Sequence, residues 1–241
     1  MEYTRAMCRL LVASLVVIIQ AGPFLAEAAA EGQVVTAGPR ACPAVALTYD
    51  LCPVRATPGL DAELLDFLMS KEVPATFFMS GKWITRHDPA VRQLLGVPSF
   101  EVGTHGNVHA HLTLHDPAFQ AREIAEPVAV LKSKYGHQAK LFRPPYGEFN
   151  DVTLEVVKFL GLQVIMWTIE SGDPDPSLSA EAIVTRIKKR LKPGSIIVLH
   201  ANGKGRHTKQ VTQDLITTVL PDKGLKPMTV SDLLSCHQPT D

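Results

Sequence analysis

The 241-residue sequence lacks a net charge: 24 Lys and Arg stand against 24 Asp and Glu. With no surplus of either sign, no bulk field steers the chain onto duplex nucleic acid or an anionic membrane, and those partner classes are set aside. Internal repeats are missing, and so is any linker-like stretch, which excludes arrays and strung modules. The two-glycine segment 201–207 lacks phosphate-loop spacing, so nucleotide binding is not expected there. Cysteine is sparse, with four residues, and a chain of this length can bury a core without disulfide staples. No apolar run beyond the N-terminal region is long enough to cross a bilayer.

What is present begins at the N-terminus. Arg5 and Arg9 precede an apolar run over 10–19 interrupted only by Ser14, and small residues follow around Ala26-Glu27-Ala28. That pattern predicts a secretory signal peptide over residues 1–28, a segment 29–43, and one domain over 44–241. The apolar run is about half the ~20 residues a membrane helix needs, so the mature protein is expected without a membrane span, periplasmic or secreted. Cleavage removes two charges of each sign and Cys8, leaving Cys42, Cys52 and Cys236, an odd number.

From Ala44 onward, short β-rich runs alternate with helix-length amphipathic stretches. Strands are predicted over 44–50, 75–79, 100–104, 140–143, 162–168, 195–200 and 228–230, and helices over 60–71, 89–95, 117–135, 151–160, 179–191 and 208–219. Leu64, Leu65 and Leu68 fall on one helical face, as do Ile183, Ile187 and Leu191. Pro127 is expected to kink or split the third helix. Alternation of this kind closes into a barrel or opens into a doubly wound sheet, and the pattern alone does not choose.

Polar residues gather at the C-terminal ends of the predicted strands: Asp50, His105, Arg143 and His200, with Asp173 just after the fifth. In a parallel barrel those ends meet at one mouth, where sites are built. His105 and His109 are four apart; on a helical turn they share a face and reach one zinc-like ion, with Asp50 able to add a carboxylate. Taken alone, such a pair also fits solvated surface histidines, and His111 and His115 read as loop or cap residues. In Arg143-Pro144-Pro145-Tyr146-Gly147 two prolines without N–H groups precede the Tyr146 amide, which suits an oxyanion hole as well as it suits a plain turn. His200 ends a buried strand, where it either bonds a backbone carbonyl or, beside Asp173, stays protonated as an acid.

Taken in order, Thr48-Tyr49-Asp50, His105-x-x-x-His109, Arg143-Pro144-Pro145-Tyr146-Gly147, Asp173 and Leu199-His200 resemble the polysaccharide deacetylases of the NodB-homology type, carbohydrate esterase family 4. The resemblance implies an α/β fold, a distorted (β/α)7 barrel of the NodB-like kind, and metal-assisted removal of an N-acetyl group from an amino sugar or polysaccharide. It implies Asp50 as general base, His105 and His109 as ligands of a divalent metal such as zinc, and Arg143 as the group orienting Asp50. The Tyr146 amide would hold the oxyanion, and Asp173 would tune His200, the acid. The expected partner is a glycan or amino sugar.

The resemblance breaks at two places. Leu51 stands where the family has a second aspartate, the third metal ligand, and leucine cannot coordinate. A two-histidine site completed by water, Asp50 recruited as ligand, and a metal-independent amidase all stay open, as does a catalytically silent carbohydrate-binding protein. Pro174 stands where a tryptophan walls the acyl pocket, and Val198 takes the place of another wall residue. With 44–50 extended, Cys42 and Cys52 lie far beyond the ~6 Å of a disulfide, so Cys42 is expected to pair with Cys236 at the barrel bottom and Cys52 to stay free. Cys52 is not expected to replace the missing aspartate as a soft ligand, because alternate residues share a face only while the strand continues.

Overall fold

The computed structural model describes residues 34–54 and 59–236; the expected signal peptide lies outside them. The element order is β1 (Val34–Val35), β2 (Ala44–Leu51), α1 (Ala62–Ser70), β3 (Ala75–Met79), α2 (Gly81–Arg86), α3 (Asp88–Gly96), β4 (Phe100–Thr104), α4 (Pro117–Tyr135), β5 (Leu141–Phe142), α5 (Asp151–Phe159), β6 (Gln163–Ile165), β7 (Ile169–Glu170), α6 (Ala180–Arg190), β8 (Ile196–His200), α7 (Thr208–Asp214), α8 (Leu220–Asp222), β9 (Lys226–Met228) and α9 (Val230–Leu234). Among the described residues all strand pairings are parallel, in the order β1-β6-β5-β4-β3-β2-β8-β7. β9 adds to the start of β2, where Ala46 pairs with both Met228 and Ile196.

Eight of the β2 residues are buried and their side chains alternate between two cores. Val45, Leu47, Tyr49 and Leu51 face the large cluster under the helices, with Leu64, Leu65, Leu68, Ile183 and Ile187. Ala44 and Ala46 face the barrel interior with Phe78, Ile165 and Ile196. Continuing along the interior face brings Thr48 and then Asp50 to the strand's C-terminal end, because successive side chains point to opposite faces. Apolar residues thus fill the barrel bottom, and polar ones line its mouth.

The predicted run 162–168 is not one strand. β6 pairs with β5 and β1, the chain bends through Met166–Thr168, and β7 pairs with β8 on the far end of the sheet. The curled sheet therefore stays open between its ends, which is the distortion of the barrel. Of the kink or split expected at Pro127, the split does not occur: α4 continues through it, and with 19 residues and a Gly136 cap the loss of one ladder bond is absorbed. α2 was missed because six residues are too few to show a period. The 228–230 prediction sits too late: β9 ends at Met228, and Thr229 caps α9 by accepting from the Asp232 amide.

Cys42 and Cys236 are joined by a disulfide and Cys52 is free and buried, as expected. The bridge closes a loop of sequence separation 194. Cys236→Ser should lower the unfolding free energy by about 2–5 kcal/mol, read as a drop in urea midpoint relative to the oxidised wild type. An unchanged midpoint would mean the bridge adds nothing.

Candidate active site

A cavity of about 290 Å³ at the mouth is lined by Asp50, Cys52, His105, His109, Tyr146, Trp167, Asp173, Pro174, Val198, His200 and Lys204, among others. All seven sequence-predicted site residues are gathered at this mouth: six line the cavity, and Arg143 lies buried beneath Asp50.

Arg143 follows β5 and is fully buried. Its guanidinium donates to Asp50 Oδ1 at 2.9 Å, to Thr48 Oγ1 at 2.8 Å, and to the carbonyls of Ile165 at 3.1 Å and Met166 at 3.2 Å. Those two carbonyls belong to the bend where the sheet opens. The Phe78 ring lies 4.1 Å from the guanidinium carbon and covers it. Burial alone would raise the Asp50 pKa, but the charges of Arg143, His105 and His200 outweigh it and hold the carboxyl below its ordinary value. Asp50 is therefore an ionised carboxylate with one oxygen tied and the other, Oδ2, 3.6 Å from His105 Nε2.

His105 comes directly after β4, and Nδ1 donates to the Arg143 carbonyl at 2.9 Å, since a carbonyl can only accept. Nε2 is left facing the cavity. The segment to His109 is a loop and not the expected helical turn: His109 adopts φ +64°, unusual for a non-glycine residue. The buried Glu123 of α4 holds that conformation, accepting from the amides of Val108 at 2.7 Å and Ala110 at 3.3 Å on either side. The loop brings the His105 and His109 rings to 4.8 Å between centroids. Sequence spacing found the pair, but the loop and Glu123 join it, not a helix face.

Cys52 completes a cluster. One donor atom each from Cys52, His105 and His109 lie within 4.8 Å of one another. Burial raises the Cys52 thiol pKa, but hydrogen bonds from His105, His109 and His200 bring it down to about 3. Two imidazoles and a thiolate are the donor types of a zinc-like ion, so the residues present fit a metal. Asp50 stands beside this group, with Oδ2 3.6 Å from His105 Nε2. Leu51 points away into the helix-side core.

His200 ends β8. Its Nδ1 donates to Asp173 Oδ1 at 3.0 Å, and its own amide donates to Oδ2 at 2.8 Å. Ser171 and Thr208 also donate to the same carboxylate, at 2.9 and 2.7 Å. Burial lowers the His200 pKa, but the bonds to Asp173 and Cys52 raise it further, to about 10. Gly205 permits this packing: a Cβ there would lie 2.4 Å from Asp173 Oδ2. Neither Ser171 nor Thr208 carried a sequence signal.

Tyr146 takes φ +59° in a tight turn closed by Gly147 N–H to the Pro144 carbonyl at 3.1 Å. Among the described residues no acceptor takes the Tyr146 amide. Its exposed ring stacks on His111 at 3.8 Å and meets the edge of His109 at 4.5 Å, while His111 Nδ1 pairs with Glu148 at 2.9 Å. His111 is thus part of the rim. Trp167, unremarked in the sequence, supplies an aromatic wall near Pro174 and Val198.

A sequence profile described as "Polysaccharide deacetylase" matches residues 37–165, more than half of the chain. The chain belongs to the polysaccharide deacetylase family. A peptidoglycan-N-acetylglucosamine deacetylase of Bacillus cereus is 29% identical over 191 residues, covering 79% of this chain and 87% of the relative. A chitooligosaccharide deacetylase of Rhizobium leguminosarum bv. phaseoli is 28% identical over 211 residues, 83% of this chain and 90% of the relative. A family 4 carbohydrate esterase pseudoenzyme from Bacillus anthracis superposes with a TM-score of 0.76 at 21% identity, covering 85% of this chain and 69% of that one, a likeness of fold alone. The family's barrel is the fold seen here, with the mouth residues of this chain in the expected strand-end positions.

Proposed function

We propose that the chain is an exported hydrolase that removes an N-acyl group, N-acetyl in the simplest case, from an amino sugar within a glycan. One observation carries this reading: the cavity holds an ionised carboxylate, Asp50, and a protonated imidazole, His200, beside the Tyr146 amide, which has no acceptor among the described residues. Those are the base, acid and oxyanion donor that amide hydrolysis needs. The curated relatives, deacetylases of amino-sugar glycans, support the substrate class. The Cys42–Cys236 bridge supports an oxidising compartment.

Asp50, oriented by Arg143, takes a proton from the attacking water. The Tyr146 N–H donates to the oxygen of the tetrahedral intermediate. His200 donates its Nε2 proton to the departing amine, while Asp173 holds the imidazole in orientation through Nδ1. A divalent ion held at His105 and His109 would polarise the acyl carbonyl and activate water as a Lewis acid.

Acetate release from N-acetylglucosamine oligomers and from peptidoglycan, with and without chelator and added zinc, tests the reading. Release that chelator abolishes and zinc restores supports it. Release indifferent to chelator means a metal-independent amidase, and glycan binding without release means a silent binding protein. The acid is tested separately by pH. Because Asp173 raises the His200 pKa, Asp173→Asn should lower it, so the alkaline limb of kcat moves to lower pH and kcat falls about 10²–10⁴-fold. An alkaline limb left in place would remove His200 from that role.

A further inference from the structure

We propose that Cys52 is a metal ligand, so that this chain holds its ion by one thiolate and two imidazoles. The inference rests on reading His105 and His109 as ligands and adds the third donor that Leu51 does not supply.

Register comes first. Along β2, Thr48 and Asp50 face the interior, and Tyr49 and Leu51 face the helices. Cys52 keeps the alternation for one more residue past the end of the strand, lining the same cavity as Asp50. The alternation does not stop with the strand: Asn202 Nδ2 donates to the Cys52 carbonyl at 2.8 Å, and Leu51 accepts at its own carbonyl from the Ser80 amide at 3.2 Å and the Ser80 hydroxyl at 3.1 Å. These bonds hold the chain in line beyond the last ladder pair.

The surroundings of the sulfur are the second observation. A buried free cysteine ordinarily acts as a small hydrophobe packed among apolar side chains. Cys52 is 1% exposed, yet among the described residues it belongs to none of the hydrophobic clusters, and its sulfur lies within 4.8 Å of ring nitrogens of both His105 and His109. The donor atoms of Cys52, His105 and His109 lie within 4.8 Å of one another, close enough to converge on one ion ~2.3 Å from sulfur and ~2.0–2.1 Å from each nitrogen. The two imidazoles are already held by outer partners, His105 through the Arg143 carbonyl and the His109 loop through Glu123. Three protein donors facing a cavity leave a fourth position open, the arrangement of a catalytic centre rather than a structural one.

Chemical consequences follow. On binding, the thiol proton passes to solvent and a sulfur–metal bond forms, with no change of oxidation state. A thiolate donor favours zinc, cobalt(II) and cadmium over magnesium, calcium and manganese, which prefer all-oxygen sets. Asp50 is released from ligand duty and keeps its place beside the open position.

Cobalt(II) titration of the folded protein, read by absorption, tests the assignment. One equivalent should bind with tetrahedral visible bands and a near-ultraviolet thiolate-to-cobalt charge-transfer band. In Cys52→Ala the charge-transfer band should vanish and affinity should fall more than about 100-fold, since loss of a direct ligand exceeds the 10–100-fold effect of an outer one. Cys52→Asp should bind without the band, which covers the case where the alanine variant folds poorly. Tetrahedral cobalt without a thiolate band, bound equally well by Cys52→Ala and lost in His105→Ala, would overturn the proposal while leaving the histidine site intact. A thiolate band that survives Cys52→Ala also overturns it. No stoichiometric cobalt binding would overturn the histidine reading as well.

Discussion

Asp50→Asn is expected to lower kcat by about 10²–10⁴-fold with KM nearly unchanged, the loss of a general base whose substitute keeps shape but cannot accept a proton. The amide can still accept the Arg143 hydrogen bond at the Oδ1 position, so the cavity should keep its form. What changes is charge: a buried guanidinium is left without its counter-ion, and the variant should also be less stable near neutral pH. The sign with pH is set by the depressed Asp50 pKa. A carboxyl of that kind contributes stability above its unfolded pKa and loses it as pH falls through the folded value. The difference in unfolding free energy between wild type and variant should therefore shrink in acid, which urea titrations over a pH series would show. Wild-type turnover in Asp50→Asn would remove Asp50 from the chemistry.

Arg143→Met should have the largest effect on the fold. The methionine fills space of similar length but makes none of the four hydrogen bonds that Arg143 makes to Asp50, Thr48, Ile165 and Met166. Removing one partner of a buried ion pair typically costs about 3–5 kcal/mol, because the other charge is stranded. Here the carbonyls at the opening of the sheet also lose their donor, so the loss belongs at the upper end of that range. In whatever fraction folds, the Asp50 pKa rises without the guanidinium, and the acid limb of kcat should move to higher pH. Arg143→Lys should restore part of the stability but little of the alignment, since an ammonium cannot fork between a carboxylate and two carbonyls. A fully stable Arg143→Met with an unmoved acid limb would mean that Asp50 is held by other groups.

Most of the strand framework was legible in sequence because buried parallel strands are apolar runs with polar ends. The β3, β4 and α4 bounds match residue for residue. The break after β6 was not legible, because it depends on which sheet edge each half finds, a tertiary choice that no local pattern carries. The same holds within the site. Asp50, Arg143 and His200 were visible as polar ends of apolar runs. Glu123, Ser171 and Thr208 lie in helical or loop sequence of ordinary polarity; Glu123 and Thr208 gain their roles by hydrogen bonds to residues distant in sequence, and Ser171 gains its role through Asp173, two residues away. That Cys52 faces the cavity was not legible, because the bond from Asn202 that extends its register comes from 150 residues away.

The Cys42–Cys236 bridge has a further consequence. Cys42 lies at the start of the first long strand, and in an all-parallel sheet strand starts share the face opposite the mouth. The segment leading into β2 and the chain just after α9 are therefore pinned together on the face opposite the cavity. A solid support coupled through surface residues of α9, beside Cys236, should therefore hold the protein by the face opposite the mouth and leave the cavity open to an extended polymer.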